Sequence, residues 1–229
     1  MQIIDLDDFD SLNTILTHIE NGPIVLELPT VFSIVCLPTS EGIEQMNQIK
    51  ARRAGKNYGS LIGNLEPFYN LLQKEIRSGE FSNLTDLYKL NGTFIRGKIT
   101  HDSFNSETVR NGTHQGLLLT GPIQHLCASI EVNFQSIADL ELYDNKQYSS
   151  PICTSANLSG DPSGSITELK DALEFAKNRG VELVVTIKEG LKSKHKGSYP
   201  IVWLKENEFT IERNGPGLDQ LNLSSHRKN

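Results

Sequence analysis

Apolar residues in the first fifty positions switch between helical and extended spacing. They recur every three or four residues over 12–19, after the polar pair Asp10-Ser11, and predict a short helix with a polar N-terminal cap. The mainly apolar runs 24–28 and 31–37 predict two strands, each followed by a proline. A second helical pattern covers 39–50 and has its apolar residues on one side. This alternation of helices and strands is typical of an α/β or α+β domain.

The rest of the chain predicts two further helices and several strands, separated by glycine-containing turns. We expect helices at 68–76 and 166–176, strands at 93–99, 115–120, 183–187 and 200–204, and turns at Asn91-Gly92, Asn111-Gly112 and Gly121-Pro122. In the later helix, Leu169, Leu173 and Phe175 are expected to contact the core. The chain is therefore predicted to form a single α/β domain over 1–220, followed by a flexible polar tail over 221–229.

Composition narrows the class of protein. The 229 residues carry a net charge of −6 with 37% hydrophobic residues, which is typical of a globular protein and argues against one that coats nucleic acid through its global charge. Cys36, Cys127 and Cys153 are odd in number and widely spaced, so they predict neither a disulfide framework nor a zinc site. The acidic N-terminus lacks the features of a signal peptide, and no apolar run is long enough to span a membrane. We therefore expect a cytoplasmic protein without a membrane partner.

A cluster of cations occupies the end of the second predicted helix. Lys50, Arg52, Arg53 and Lys56 place four positive charges within seven residues of an otherwise acidic chain. Arg52 can hold a phosphate through two N–H groups, whereas Lys50 and Lys56 act as point charges. The alternative is a solvated helix end, because cations also complement the negative C-terminal end of a helix.

A small polar loop lies about a hundred residues later. Residues 155–160, with the sequence SANLSG, follow the apolar run 151–153, which is expected to be the end of a strand. Open α/β sheets commonly bind ligands at the carboxyl ends of strands, and hydroxyl and amide groups there make directional hydrogen bonds. Ser, Asn and Gly also form ordinary turns, so a structural turn remains the alternative.

These two segments together resemble the YrdC-like family, the threonylcarbamoyl-adenylate synthases. Lys50, Arg52 and Lys56 match the family's Lys-x-Arg signature with its following lysine, and residues 155–160 match the Ser-x-Asn signature letter for letter. The segment 28–30 is similar to the family's N-terminal entry, and 211–215 to its C-terminal Arg-Pro-Gly segment.

The resemblance implies a twisted, open, mixed sheet flanked by helices around a large basic cavity. It implies a nucleotidyltransferase reaction in which threonine, bicarbonate and ATP form threonylcarbamoyl-AMP and pyrophosphate, in support of threonylcarbamoyladenosine formation in tRNA. ATP is then a substrate, and Mg²⁺ is expected on its phosphates rather than on protein ligands. The implied site consists of Lys50 and Arg52 as catalytic residues, the same two with Lys56, Ser155, Asn157, Ser198 and Arg213 as nucleotide-binding residues, and Thr30 as a substrate-binding residue.

Several family segments are replaced in this chain. Residues 31–34 read VFSI where the family has Glu-Thr-Val-Tyr, and no histidine follows Arg52 at the expected place. These changes affect the amino-acid side of the implied site more than its nucleotide side. They leave a second hypothesis open, namely a divergent paralogue that binds nucleotide, tRNA or double-stranded RNA without the synthase reaction. A third is that the chain is another kind of α/β protein.

Overall fold

The computed structural model describes residues 1–52, 56–78, 81–206 and 208–221. The α-helices in these residues are α1 (Ser11–Asn21), α2 (Ser40–Lys50), α3 (Leu65–Leu71), α4 (Leu84–Tyr88), α5 (Pro122–Phe134) and α6 (Leu169–Asn178). The strands are β1 (Gln2–Asp5), β2 (Ile24–Glu27), β3 (Phe32–Cys36), β4 (Gly59–Ile62), β5 (Thr93–Lys98), β6 (Thr113–Leu118), β7 (Ile152–Ser155), β8 (Leu183–Thr186), β9 (Ile201–Leu204) and β10 (Phe209–Arg213).

The chain divides into two compact units, and each is made from two separate stretches of sequence. Unit 1 consists of Met1–Lys56 and Pro151–Ser198, and unit 2 consists of Asn57–Ser150 and Tyr199–Asn229. The prediction of a single domain over 1–220 stays a prediction. Most of the predicted tail, 222–229, lies outside the described residues.

Unit 1 contains five strands in the order β1-β8-β2-β3-β7. β8 pairs in parallel with β1 and β2, whereas β3 is antiparallel to both β2 and β7. β2 and β3 are buried along their whole length. A strand covered on both faces reads as a continuous apolar run, which is why the sequence pattern identified these two strands so clearly.

Unit 2 contains the other five strands in the order β4-β6-β5-β9-β10. Parallel pairing joins β4 to β6 and β5 to β9, and antiparallel pairing joins the others. Helix α5 packs directly against the end of β4. A Cβ atom at Gly63 would lie 2.3 Å from the backbone nitrogen of Ala128, so only glycine allows this approach.

The predicted fold class, α/β with a mixed sheet flanked by helices, is confirmed. The strands predicted at 24–28, 31–37, 93–99, 115–120, 183–187 and 200–204 all form within two residues of their expected bounds. The helix predicted at 39–50 begins at Ser40, and the Thr39 hydroxyl caps it by accepting a hydrogen bond from the Gly42 N–H at 3.0 Å.

Three local expectations were wrong. The helix expected at 68–76 is instead α3, which ends at Leu71, with a separate 3₁₀ turn at Ile76–Ser78. Asp10 precedes α1 but makes no side-chain capping bond, and its Oδ1 accepts from the Asn13 amide instead. Leu169 is 39% exposed, because it is the first residue of α6 and lies outside the buried face formed by Ala172, Phe175 and Ala176.

Helix α5 was not expected from the sequence, where Gly121-Pro122 indicated only a turn. Gly121 has a φ of 81° and does form a tight entry, but Pro122 then starts a thirteen-residue helix. Proline favours the first helical position because its missing N–H is not needed there. The same dipeptide is therefore both a turn and a helix start.

Candidate functional site

The candidate site lies in unit 1, where the end of α2 meets the loop that follows β7. Helix α2 ends at Lys50, and the next residue, Ala51, adopts a left-handed conformation with a φ of 46°. The Arg52 N–H then bonds back to the Asn47 carbonyl at 3.0 Å. This reversal is a Schellman-type helix end, and it directs the chain away from the helix axis immediately after Lys50.

Lys50 joins the two sequence motifs. Its side chain is only 4% exposed, and its ammonium donates to the Ser155 carbonyl at 2.6 Å. It also donates to the carbonyl and the side-chain Oδ1 of Asn157, at 2.9 and 2.8 Å. An ammonium has three N–H groups, so protein oxygens occupy all of them.

The loop is held in the geometry that Lys50 requires. Antiparallel pairing of β3 with β7 places Ser155 opposite Ser33, and the Ser155 hydroxyl donates to Asn157 Oδ1 at 2.7 Å. Asn157 Oδ1 thus accepts from both Lys50 and Ser155. A further bond from the Ser159 N–H to the Lys50 carbonyl, at 3.0 Å, ties the loop back to the helix end.

The electrostatics of this centre favour a negative ligand. Burial, together with the neighbouring Arg52 and Lys56 cations, lowers the pKa of Lys50 to about 7. An anion bound beside these three groups would offset their mutual repulsion and raise the pKa of Lys50 again. Arg52 is half-buried and Lys56 is exposed, whereas Arg53 lies outside the described residues.

Two other predicted residues, Thr30 and Ser198, also lie in unit 1. Thr30 is 4% exposed, and its hydroxyl has no hydrogen-bond partner among the described residues. Its carbonyl accepts a hydrogen bond from the Gly197 N–H at 2.8 Å, so the segment before Ser198 runs along the loop containing Thr30. The Ser198 and Ser165 hydroxyls are 2.8 Å apart. A buried hydroxyl without a partner is costly, and a substrate group could supply the missing bond.

The remaining predicted residue, Arg213, belongs to unit 2. It ends β10, and its guanidinium donates twice to the Tyr199 carbonyl, at 2.9 and 2.6 Å. Burial lowers its pKa, although the nearby Glu212 carboxylate opposes this effect. The structure therefore brings together Lys50, Ser155 and Asn157 in direct contact, and it gives Arg213 a backbone partner of its own.

Sequence reasoning missed one charged residue that supports the site. Arg179, after α6, donates from Nε to the Ile49 carbonyl at 2.5 Å and from Nη2 to the Gln48 carbonyl. Arg179 precedes Gly180 at a helix end, which is a helix-termination signal, but nothing in the sequence indicated which carbonyls it would bind.

Several solved structures share the fold of this chain. P. abyssi Sua5 in complex with L-threonine matches 94% of this chain at 15% identity, with a TM-score of 0.67. E. coli YciO matches 97% of this chain at 14% identity, with a TM-score of 0.62, and HypF in its phosphate- and nucleotide-bound form matches 87% at 12% identity, with a TM-score of 0.59. The chain has a YrdC-like fold.

The extent of these similarities differs. This chain spans 58% of the Sua5 chain and 28% of the HypF chain, but 99% of YciO. No family model and no curated protein matches its sequence. At these levels of identity the comparisons establish the fold.

The described residues contain neither a membrane-spanning helix nor a metal-binding cluster. No helix in them is both long and apolar enough to cross a bilayer. In the same residues, no group of three or more His, Cys, Asp or Glu side chains could hold a metal ion.

Proposed function

We propose that this protein is an ATP-dependent L-threonylcarbamoyladenylate synthase that supports the threonylcarbamoyladenosine modification of tRNA. The observation that carries the proposal is the contact of Lys50 with both Ser155 and Asn157. These two residues lie 105 and 107 positions after Lys50 in the sequence, so the contact joins the two motifs. A buried lysine with two further cations beside it, and small polar groups at the same place, suit the binding of a nucleotide phosphate. The YrdC-like fold supports the same reading.

The ligands named for the similar structures agree with the proposed substrates. Sua5 is described in complex with L-threonine, and HypF in a phosphate- and nucleotide-bound form. We propose that the Thr30 hydroxyl, which has no hydrogen-bond partner among the described residues, contacts threonine, and that Ser198 contributes to nucleotide binding.

In the proposed mechanism the cations act on the ATP phosphates. Arg52 binds the phosphates through its planar guanidinium, and Lys56 adds a second positive charge. Lys50 holds the Ser155–Asn157 loop next to the phosphates. The Ser155 hydroxyl and the Asn157 amide then orient the nucleotide. Because the described residues form no carboxylate cluster, Mg²⁺ would arrive with ATP and be held by phosphate and water.

The proposal is tested by pyrophosphate release from ATP, Mg²⁺, bicarbonate and threonine. The wild-type protein should release pyrophosphate only when all four are present, and Arg52→Ala should reduce the rate at least about tenfold, because a charge-assisted contact to phosphate is lost. Arg110→Ala removes an exposed arginine in unit 2 and serves as the matched control. No release above background by the folded wild-type protein would refute the synthase proposal.

One feature of the site favours the second candidate, a nucleotide- or RNA-binding paralogue without synthase activity. All three Lys50 N–H groups are bound by protein oxygens, so Lys50 organises the loop instead of offering an open cation. Calorimetric ATP binding that is indifferent to threonine would support this candidate. RNA binding by the basic cluster should weaken steeply with salt, and a Lys50→Ala, Arg52→Ala variant that binds RNA unchanged would exclude that form of it.

A further inference from the structure

The last carbonyl groups of α2 can be accounted for individually. A helix leaves its final four carbonyls without partners inside the helix. In α2 the Asn47 carbonyl accepts from Arg52 N–H, and the Lys50 carbonyl accepts from Ser159 N–H, both at 3.0 Å. The Gln48 and Ile49 carbonyls accept from the side chain of Arg179. The end of α2 is thus bound by its own turn, by the 155–160 loop and by one residue beyond α6.

Arg179 is suited to this role by shape and charge. Its guanidinium is planar and rigid, so two N–H groups can reach adjacent carbonyls in one fixed orientation. Its positive charge also lies at the negative C-terminal end of the α2 dipole. The two carbonyls that it binds immediately precede Lys50, and Lys50 has no freedom to follow a displaced helix end without losing its bonds to the loop.

We propose that Arg179 is a positioning residue, whose guanidinium fixes the end of α2 and thereby fixes where Lys50 holds the 155–160 loop. Arg179 acts through α2 and has no assigned contact with substrate. The effect on the loop is a property of unit 1, whereas its consequence for ATP rests on the proposed function.

A cavity beside Arg179 makes the proposal testable by chemical rescue. A space of about 410 Å³, partly open to solvent, is lined by Arg179 together with His18, Gln45, Gln48, Gly180 and Glu182. Truncation of Arg179 to alanine would enlarge this space up to the Gln48 and Ile49 carbonyls. A small guanidinium ion can then enter from solvent and occupy the place of the missing side chain.

The experiment is amide hydrogen exchange of residues 155–160 in wild type, Arg179→Ala, Arg179→Lys and Lys177→Ala. We expect Arg179→Ala to accelerate exchange in this loop about tenfold, since it removes two charge-assisted hydrogen bonds. Methylguanidinium at tens of millimolar should restore protection in Arg179→Ala, whereas the same concentration of NaCl should not. Lys177→Ala removes an exposed cation from the last turn of α6, two residues before Arg179, and should leave exchange unchanged.

The outcomes separate positioning from general stabilisation. Faster exchange spread equally over β1 and β8, or no rescue by methylguanidinium, would overturn the proposal. If Arg179→Ala does not fold, Arg179→Lys keeps the charge without the two-pronged geometry, and loop protection equal to wild type in that variant would also overturn it. ATP titration of the same proteins tests the functional consequence separately, because a wild type that does not bind ATP refutes the proposed function and leaves the exchange result standing.

Discussion

Lys50 combines a buried position with a full set of hydrogen bonds, and these two properties act on it in opposite ways. Burial and the Arg52 and Lys56 cations lower its pKa to about 7, whereas its three oxygen partners need three N–H groups. The neutral amine has only two N–H groups. Loss of the proton therefore removes both a positive charge and one contact with the 155–160 loop.

This property predicts a pH dependence of ATP affinity. As the pH rises from 6 to 8, Lys50 becomes neutral, and the dissociation constant for ATP should increase about tenfold. Lys50→Arg stays charged throughout this range, so titration calorimetry on that variant should show only the dependence that comes from ATP itself. An equal pH dependence in both proteins would contradict the prediction.

Lys50 should also affect the pH dependence of stability. Its pKa is lower in the folded chain than the ordinary value of 10.5, so the unfolded chain binds more protons between about pH 7 and 10.5. The free energy of unfolding contributed by Lys50 therefore rises with pH across this window. Urea denaturation of wild type and Lys50→Met over the same window should show the rise in the wild type only, and an equal rise in both proteins would contradict the assignment.

His114 is a second buried titratable residue, and it lies in unit 2. Its Nδ1–H donates to the Thr108 carbonyl, so its Nε2 accepts from the Ser60 hydroxyl, and Ser60 in turn accepts from Tyr148. Burial lowers the pKa of His114 to about 4. This chain of donors and acceptors is complete only when His114 is neutral.

Acid should therefore destabilise the protein through His114. The unfolded chain binds the extra proton between about pH 6.5 and 4, so the free energy of unfolding falls as the pH falls through this window, by about 3 kcal/mol in full. Urea denaturation at pH 7 and pH 4 should show a smaller loss in His114→Gln than in wild type. The exposed His125→Gln provides the matched control and should behave as wild type.

At the scale of the element, the backbone conformation at the end of α2 costs free energy, because a residue with a Cβ adopts a left-handed conformation there. Ala51 has a φ of 46°, a region that residues with a Cβ rarely occupy, whereas Gly180 after α6 has a φ of 71° at no such cost. The site thus depends on a strained helix end that its hydrogen bonds hold in place.

Replacing Ala51 by glycine and Gly180 by alanine should change the free energy of unfolding in opposite directions. Ala51→Gly should raise the free energy of unfolding by about 0.5–1 kcal/mol, and Gly180→Ala should lower it by a similar amount. No heavy atom lies within 4 Å of a Cβ built at Gly180, so its effect is purely conformational. Thermal unfolding of both variants measures the two effects, and destabilisation by Ala51→Gly would contradict the reasoning.

At the scale of the whole molecule, the chain leaves unit 1 after residue 56 and returns to it at Pro151. The two motifs of the candidate site lie on opposite sides of that excursion. Unit 1 therefore cannot be assembled until both of its stretches of sequence are present, and a site made from them depends on long-range contacts.

This arrangement predicts where ATP should protect the chain. Hydrogen exchange with saturating ATP and Mg²⁺ should slow most strongly at 40–52 and 152–160, because binding stabilises the elements that hold the phosphates. The Arg52→Ala variant under the same conditions is the control and should lose this protection. Protection that avoids both segments would place the nucleotide elsewhere.

The sequence by itself determined the elements with strong local signals and the residues with distinctive chemistry. The buried strands β2, β3 and β8 were predicted because strands covered on both faces form continuous apolar runs, and the start of α2 because Thr39 is a good helix cap. Short or polar elements such as β1, β4 and β10 gave no such signal. The cations at 50–56 and the 155–160 loop were likewise apparent from the order of residues along the chain.

Only the tertiary structure decided how those residues are used. Pairing of β3 with β7 places Ser155 and Asn157 at Lys50, and the burial that results both lowers the pKa of Lys50 and occupies its N–H groups. The role of Arg179 could not be predicted from the sequence, because its partners are backbone carbonyls, which every residue possesses. Such contacts depend on which parts of the chain the fold brings together. The chemical groups of the site could therefore be predicted from the sequence, whereas their hydrogen-bond partners could not.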